Sequence, residues 1–192
     1  MPRPSVKEKL IDAGLRTLHK RGFNGCAVQD ITEAAGVPKG SFYNHFPSKE
    51  VLGLEALERY WQGSASRRAI LGDETLSPVE RLRRHFNSLS EAVSRYDFEK
   101  GCLIGNFSAE LPDQSPPIRD GLAVIYAGWT CAIEICVREA QQTGQLRTGA
   151  DPAAVAAFLV NAWEGAVLRA KVDKHGEALE QFDEVVFAGL FV

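Results

Sequence analysis

The chain has little of what metal and disulfide sites are built from, since its 192 residues include only four histidines and four cysteines. Neither set shows ligand or C-x-x-C spacing, so the sequence predicts no metal, no cofactor, and free thiols in a reducing cytoplasm. G-x-S-x-G, H-E-x-x-H and a glycine-rich phosphate loop are also missing, which argues against the commonest enzyme classes. The residues concerned are His19, His45, His85, His175, Cys26, Cys102, Cys131 and Cys136.

Long apolar segments and strand patterns are also missing. No uncharged apolar run approaches the roughly 20 residues that span a bilayer, and no apolar signal region opens the chain. We therefore expect neither a membrane partner nor export. No segment alternates with period two between hairpin signals, and there are no internal repeats. Apolar residues recur instead at helical spacing, which predicts an all-α chain of about nine helices.

Charge is spread unevenly along the chain. Residues 1–50 carry eight lysines and arginines against five acids, a net charge of +3, while the whole chain has −3. The remainder therefore carries −6. A basic N-terminal end on an acidic body is typical of a protein that touches a polyanion at that end alone.

The stretch from Gly36 to Glu50 has the pattern of a helix-turn-helix. A helix over residues 28–35, with Ile31 and Ala34 inward, is followed by a turn in which Gly36 can adopt positive φ. The next helix is too short for a core helix, yet it is rich in side chains that bind phosphates and base edges. Phe42 and Phe46 are expected to pack inward.

Individual roles follow from side-chain chemistry. Lys39, Ser41 and Asn44 are predicted to read base edges, because lysine suits guanine and asparagine suits adenine. Gly40 and Ser41 are small enough for close approach to DNA. The predicted phosphate ligands are Gln29, Tyr43, His45 and Lys49. The predicted partner is double-stranded operator DNA.

Capping signals divide the rest of the chain. Ser5 with Glu8 and Ser77 with Glu80 form capping boxes, and Ser48 begins a helix expected to run from Lys49 to about Leu71. A short helix broken by Gly105 follows Gly101. We predict a helix-turn-helix domain over residues 1–48 and a ligand-sensing and dimerisation domain over residues 49–192.

The N-terminal quarter resembles the TetR family of bacterial transcriptional regulators. The resemblance is carried by Arg21-Gly-Phe23, Asp30-Ile31, the run from Ala34 to Tyr43, His45-Phe46 and Ser48-Lys-Glu50. It implies a homodimer that binds a palindromic operator, mostly as a repressor, and that a ligand releases. One departure is that Cys26 and Ala27 stand where the family usually has a capping Ser or Thr.

Two late helices are unusually apolar, and the resemblance implies that they form a four-helix dimer interface. Burial within one subunit is the alternative for these side chains. The predicted interface residues are Val155, Phe158, Leu159, Ala162, Trp163, Phe182 and Val186.

The sequence around Cys102 resembles a narrower branch, the N-ethylmaleimide-responsive repressors that sense electrophiles and oxidants. The matching residues are Gly101-Cys102-Leu103, Ser108 to Leu111, and Ala170-Lys171. The resemblance implies that Cys102 is the sensor and supports Lys171 as its charge partner. Lys100 and the start of a helix would favour the thiolate on general grounds. A small buried hydrophobe is the alternative for Cys102.

A non-covalent inducer is the other possibility. Five aromatic side chains could line an apolar pocket, although ordinary core packing is open for each, and Asn106, Glu110 and Arg119 could orient a ligand. An enzyme that uses Cys102, and a binding protein without a DNA role, are further alternatives. The pocket residues are Trp61, Phe86, Phe107, Tyr126 and Trp129.

Overall fold

The chain is all-α, as predicted. The computed structural model describes residues 5–147 and 149–192, so Arg3 of the basic end lies outside the described residues. Between these limits it has ten α-helices, a 3-10 turn at Ile70–Gly72, and an isolated bridge between Leu146 and Phe191. The helices are α1 (Val6–Arg21), α2 (Val28–Ala35), α3 (Lys39–Tyr43), α4 (Lys49–Gly63), α5 (Ala65–Ala69), α6 (Pro78–Ser94), α7 (Leu103–Glu110), α8 (Pro116–Gln142), α9 (Pro152–Asp173) and α10 (Glu177–Gly189).

Two predictions about where helices break were wrong. The helix expected from Lys49 to about Leu71 ends at Gly63, because Ser64 leaves helical geometry (φ −94°, ψ 6°) and the Arg68 guanidinium bonds its hydroxyl. Gly105 was expected to break α7, but the helix continues through it. A buried glycine inside a helix is tolerated at a cost of about 1 kcal/mol, which packing offsets.

The predicted side-chain caps at Ser5 and Ser77 are present, but only the capping box at Ser5 is complete. The Glu8 amide donates to Ser5 Oγ and the Ser5 amide donates to Glu8 Oε2, both at 3.2 Å, so the first capping box is complete. Ser77 Oγ accepts from the Glu80 amide at 3.2 Å, whereas the Glu80 carboxylate accepts from Arg84 at 2.6 Å. Local signals therefore set the starts of α1 and α6.

The described residues form two compact units. The first includes the chain up to Gly63 together with Leu103–Ala123, and the second includes Ser64–Cys102 and Val124–Val192. The predicted division after residue 48 follows the helix-turn-helix alone. The first unit also takes in α4, because α4 packs along α1: a Cβ on Gly14 would lie 2.4 Å from Leu52 Cδ2.

Apolar composition makes two helices resemble membrane spans. The helices α8 and α9 are long and apolar enough to cross a bilayer by length and composition alone. The expectation that no such segment exists considered only uncharged runs and was too strict. Core helices of soluble proteins pass the same test, so these two are weak evidence for a membrane.

The second unit has a fully buried histidine at its centre. Trp129 Nε1 donates to His85 Nε2 at 3.0 Å, which leaves His85 Nδ1 to donate to the Arg67 carbonyl at 2.9 Å. Both ring nitrogens of a neutral imidazole are thus satisfied. Burial lowers the pKa of His85 to about 4, with Arg67 and Arg68 as smaller charge contributions in the same direction. The imidazole is therefore a neutral core group.

We predict that His85 makes the fold acid-sensitive. The unfolded chain binds this proton below its ordinary pKa of 6.5 and the folded chain only near 4, so stability is lost as pH falls between them. Glutamine can make the same two hydrogen bonds without titrating. The unfolding free energy of the wild type, minus that of His85→Gln, should fall by about 2 kcal/mol from about pH 7.5 to about pH 5 in urea titrations. A constant difference would contradict this assignment.

Candidate nucleic-acid interface and cysteine site

The turn between α2 and α3 has the geometry that the sequence predicts. Gly36 is left-handed (φ 65°, ψ 37°), and the Val37 amide bonds the Thr32 carbonyl at 3.0 Å, five residues back. This is the Schellman arrangement that ends a helix sharply. Pro38 then occupies the N-cap of α3, one residue before the predicted position.

The short helix α3 presents its polar residues outward. Phe42 and Phe46 are fully buried, as predicted, and their rings lie 5.6 Å apart. Burial of this side leaves most of the predicted DNA ligands facing solvent, and Tyr43 is 57% exposed. Ser41 is half-buried, and the exposed members are Lys39, Gly40, Tyr43, Asn44 and His45.

The packing side of α2 differs from the prediction at one position. Ile31 is fully buried, but Ala34 is exposed and Thr32 is buried in its place. The Thr32 hydroxyl donates to the Gln29 carbonyl at 3.0 Å, so the polar atom is satisfied within the helix. We predicted alanine inside because threonine is a polar residue. The hydrophobic pattern does not show the local hydrogen bond that satisfies its hydroxyl.

An aspartate compensates for the missing Ser or Thr cap of α2. Ala27 is the N-cap and makes no side-chain bond, and its amide donates to Asp30 Oδ2 at 2.7 Å. The other Asp30 oxygen accepts from Arg21 at 2.6 Å. The Ala27 amide and then Arg21 hold the pKa of Asp30 below its usual value. Gln29 is exposed and bonds Glu33 at 2.9 Å, so its phosphate role stays a prediction.

Lys49 has a structural role that the sequence analysis missed. Its Nζ donates to the carbonyls of Phe23 (2.9 Å) and Cys26 (2.8 Å) and lies 4.2 Å from the centroid of the Phe23 ring. Two of its three N–H groups therefore bind the turn between α1 and α2. A phosphate contact through the remaining N–H stays a prediction, and replacing Lys49 would disturb this turn.

Glu110, the last residue of α7, binds the same turn. Its two carboxylate oxygens accept from the amides of Phe23 (3.2 Å) and Asn24 (2.8 Å). Gly22 has φ 77°, and a Cβ there would lie 2.6 Å from Glu110 Oε1, so the site needs glycine. Glu110 was considered as a ligand-orienting residue, but its carboxylate is occupied in holding this turn.

Cys102 lies directly before α7 and is buried, with 4% of its surface exposed. Glu164 on α9 interacts with its thiol and is itself 7% exposed. Neither Glu164 oxygen has a hydrogen-bond partner of ordinary geometry. Burial raises the pKa of Glu164 to about 7, and the Cys102 thiol partly opposes that rise. Sequence reasoning missed Glu164, since a lone acid on a helix carries no signal of its neighbours.

The two predicted cations lie on different segments of the chain, Lys100 before Cys102 and Lys171 on α9. Lys100 Nζ lies 3.4 Å from the centroid of the Tyr96 ring. Lys171 is half-buried and follows Glu164 by seven residues on α9, so the two side chains lie on one face, two turns apart. The roles of Cys102 and Lys171 in sensing stay predictions.

The other three cysteines differ in exposure. Cys136 is buried, its Sγ lies 3.2 Å from the Leu71 carbonyl, and burial raises the pKa of its thiol to about 11. Cys26 is also buried, and burial followed by the nearby Asp30 raises its pKa. Cys131, on α8, is exposed. Among the described residues, none of the four cysteines forms a disulfide.

The five predicted pocket residues do not share one unit. Phe107 packs edge-on against Phe23 at 5.8 Å in the first unit, which also contains Trp61. In the second unit Phe86 packs against Phe182 at 5.1 Å, and Trp129 bonds His85. Phe86, Phe107 and Trp129 are thus buried against other rings, while Tyr126 is half-buried. A shared ligand pocket stays a prediction.

Most of the predicted dimer residues are buried inside a single subunit, which corrects the choice of helix face. Of the seven, only Phe158 is exposed, at 55%, and further outward apolar residues are Val172 and Val185, 76% and 70% exposed. Because α9 is apolar around most of its circumference, the sequence could not tell which face points out. Ala162 is half-buried, and the buried five are Val155, Leu159, Trp163, Phe182 and Val186.

Two family models match the chain. Residues 10–56 match the model described as bacterial regulatory proteins, tetR family. Residues 78–186 match the model described as Tetracyclin repressor-like, C-terminal domain. The first covers α2 and α3, which carry the outward polar residues, and the second covers Cys102 and Glu164.

Other proteins are similar to this chain over almost its full length. The HTH-type transcriptional repressor DhaR of Mycobacterium sp. (strain GP1) is 42% identical over 99% of this chain and 94% of its own. The crystal structure of regulatory protein TetR from Rhodobacter sphaeroides superimposes with a TM-score of 0.89 at 34% identity, covering 95% of this chain and 97% of its own. The reduced form of NemR from E. coli superimposes with a TM-score of 0.86 at 27% identity, covering 96% of each chain. The chain therefore belongs to the TetR family of bacterial transcriptional regulators, which are DNA-binding proteins and not enzymes.

Proposed function

We propose that this protein is a cytoplasmic, homodimeric repressor that binds a palindromic operator through α3 and leaves it on a chemical signal. The outward polar face of α3, held by buried Phe42 and Phe46, is the observation that supports operator binding. In a helix-turn-helix the second helix enters the major groove. Two copies in a dimer would reach successive grooves about 34 Å apart.

The dimer surface that we propose is the outward apolar face of α9 and α10. It contains Phe158, Leu168 and Val172 on α9 and Val185 on α10, all exposed in one subunit. Leu168 and Val172 are about one turn apart and Phe158 lies ten positions before Leu168, so the three project within about 80° of one another around α9. Contiguous exposed apolar surface favours a partner, and a second copy is the partner that the family implies.

The signal that we propose is a reactive electrophile or oxidant that modifies Cys102. The structure reported for NemR is a reduced form, and the likeness to that repressor supports a thiol-based signal here. A non-covalent inducer of efflux or catabolic genes, without cysteine sensing, is the alternative.

The helix α7 offers a short route between signal and DNA. Cys102 directly precedes it, and Glu110 at its last residue binds the turn between α1 and α2. An eight-residue helix is about 12 Å long. An adduct that shifts the start of α7 would displace Glu110 and favour a state that no longer fits both half-sites.

Operator recognition predicts a loss of selectivity when base-reading side chains are removed. Lys39→Ala and Asn44→Ala should each weaken binding to the operator more than to random DNA, by roughly 1–3 kcal/mol of discrimination. Fluorescence anisotropy with the upstream DNA of the gene measures both affinities. Lys174→Ala changes an exposed lysine of the second unit and serves as the control. Equal losses of affinity for both DNAs would show that these residues bind phosphates and not bases. No loss of affinity for either DNA would show that α3 is not part of the interface.

The dimer proposal predicts that charge on the outward face separates the subunits. Phe158→Glu combined with Val172→Glu should give a folded monomer in analytical ultracentrifugation, because two carboxylates would be buried without partners. Val124→Glu places a carboxylate at another exposed apolar position, on α8, and should leave the dimer intact. A dimeric double variant would show that another surface joins the subunits.

Cysteine sensing predicts a variant that binds DNA but ignores electrophiles. Cys102→Ser should keep operator affinity within a few fold, because serine is close in volume, and should lose release by a quinone or aldehyde. Cys131→Ser, at the exposed thiol, is the matched control and should respond like the wild type. If Cys102→Ser is still released normally, the non-covalent alternative takes its place.

A further inference from the structure

Glu164 is an ionisable residue in an apolar part of the second unit. Its neighbours on α9, Val160, Trp163 and Val167, are apolar and at most 2% exposed, and Glu164 itself is 7% exposed. Neither of its carboxylate oxygens has a hydrogen-bond partner of ordinary geometry. A buried carboxyl without partners destabilises a fold, so its presence points to chemistry and not to packing.

The thiol of Cys102 is the group beside it. Cys102 is 4% exposed, and its thiol interacts with the Glu164 carboxyl inside the second unit. Thiolate is the nucleophilic form of cysteine, so a buried cysteine needs an acceptor for its proton when it reacts. The Glu164 carboxylate lies beside this thiol and can accept its proton.

We propose that Glu164 accepts the Cys102 thiol proton when this cysteine adds to an uncharged α,β-unsaturated carbonyl compound, and then returns that proton to the adduct. The proposal rests on the proposed function at one point only, that Cys102 reacts with electrophiles. It adds the residue that makes the reaction possible in a buried site and the class of electrophile that the site accepts.

The reaction is balanced without another reagent. The S–H proton moves to Glu164 as sulfur forms a bond to the β-carbon of the electrophile. The π electrons of the carbon–carbon double bond move toward the carbonyl oxygen as an enolate. Glu164 then protonates the α-carbon, which restores the carboxylate and leaves a thioether. Because burial raises the pKa of Glu164 to about 7, the group exchanges a proton readily near neutral pH.

The same carboxylate sets a preference for uncharged reagents. A negative electrophile would approach a second negative charge in a site of low dielectric constant, where repulsion is strong. Neutral enals, quinones and maleimides meet no such barrier. The site should therefore discriminate by charge as well as by reactivity.

The first experiment compares the wild type with Glu164→Gln, which has a similar shape but cannot take the proton. Labelling by N-ethylmaleimide near neutral pH is followed at each cysteine by peptide mass spectrometry. The variant should react at least about tenfold more slowly at Cys102, the size expected for loss of a positioned base. Cys131 is exposed and serves as the control in the same molecule, where the rate should not change. Glu164→Asp, which keeps a carboxylate, should recover part of the rate.

The second experiment tests charge selectivity and needs no variant. Iodoacetamide and iodoacetate alkylate thiols by the same reaction and differ in charge. In the wild type, Cys102 should prefer iodoacetamide more strongly than Cys131 does, and Glu164→Gln should weaken that preference. In the wild type the preference at Cys102 should also grow as pH rises through about 7, where the Glu164 carboxylate gains its charge, so the comparison decides the question even if the glutamine variant does not fold.

Two results would overturn the inference. One is a Cys102 rate in Glu164→Gln equal to or above that of the wild type, and the other is equal charge preference at Cys102 and Cys131. Failure of the proposed function would look different. Cys102 could react with the expected dependence on Glu164 while the labelled protein still binds operator DNA. The role of Glu164 would then be confirmed, and the proposal that modification of Cys102 releases DNA would be wrong.

Discussion

The turn between α1 and α2 is held by opposite charges on its two sides, and the orientation of the DNA-binding surface depends on that arrangement. The Lys49 ammonium binds two carbonyls, and the Glu110 carboxylate binds two amides. Hydrogen bonds to charged groups are stronger and more directional than neutral ones. The turn leads directly into α2, so its position determines where α2 and α3 lie. Lys49 of α4 and Glu110 of α7 both bind Phe23, and each also binds one further residue of the turn.

Two of the buried ionisable side chains of the second unit, His85 and Glu164, illustrate opposite outcomes. His85 is neutral, and both ring nitrogens have partners, so it is a hydrogen-bonded polar side chain of the core. Glu164 has no such partners and faces a thiol. A satisfied buried group contributes to packing and uniqueness, whereas an unsatisfied one is retained at the expense of stability. This contrast is the reason for assigning chemistry to Glu164 and structure to His85.

Local sequence patterns predicted caps and turns well, but they predicted poorly which face of a helix is exposed. The capping box at Ser5 and the left-handed Gly36 were confirmed because each depends on residues within five positions. The break at Ser64 was missed, since a serine inside a helical pattern gives no warning of a bond to Arg68. Most residues predicted to lie on the outward face of α9 are buried, for a related reason. A helix with apolar residues on most sides does not record which side its own subunit covers.

The sequence by itself determined the all-α class, the helix-turn-helix and the family, because capping, periodicity and the motif are properties of neighbouring residues. Tertiary structure decided which groups meet. Glu110 binds a turn 87 residues earlier in the chain, and Glu164 comes beside Cys102 from another helix. Such pairings arise from packing of apolar faces and leave no periodic trace in the sequence. They bring a carboxyl to a backbone turn in one case and to a thiol in the other, which a linear reading could not foresee.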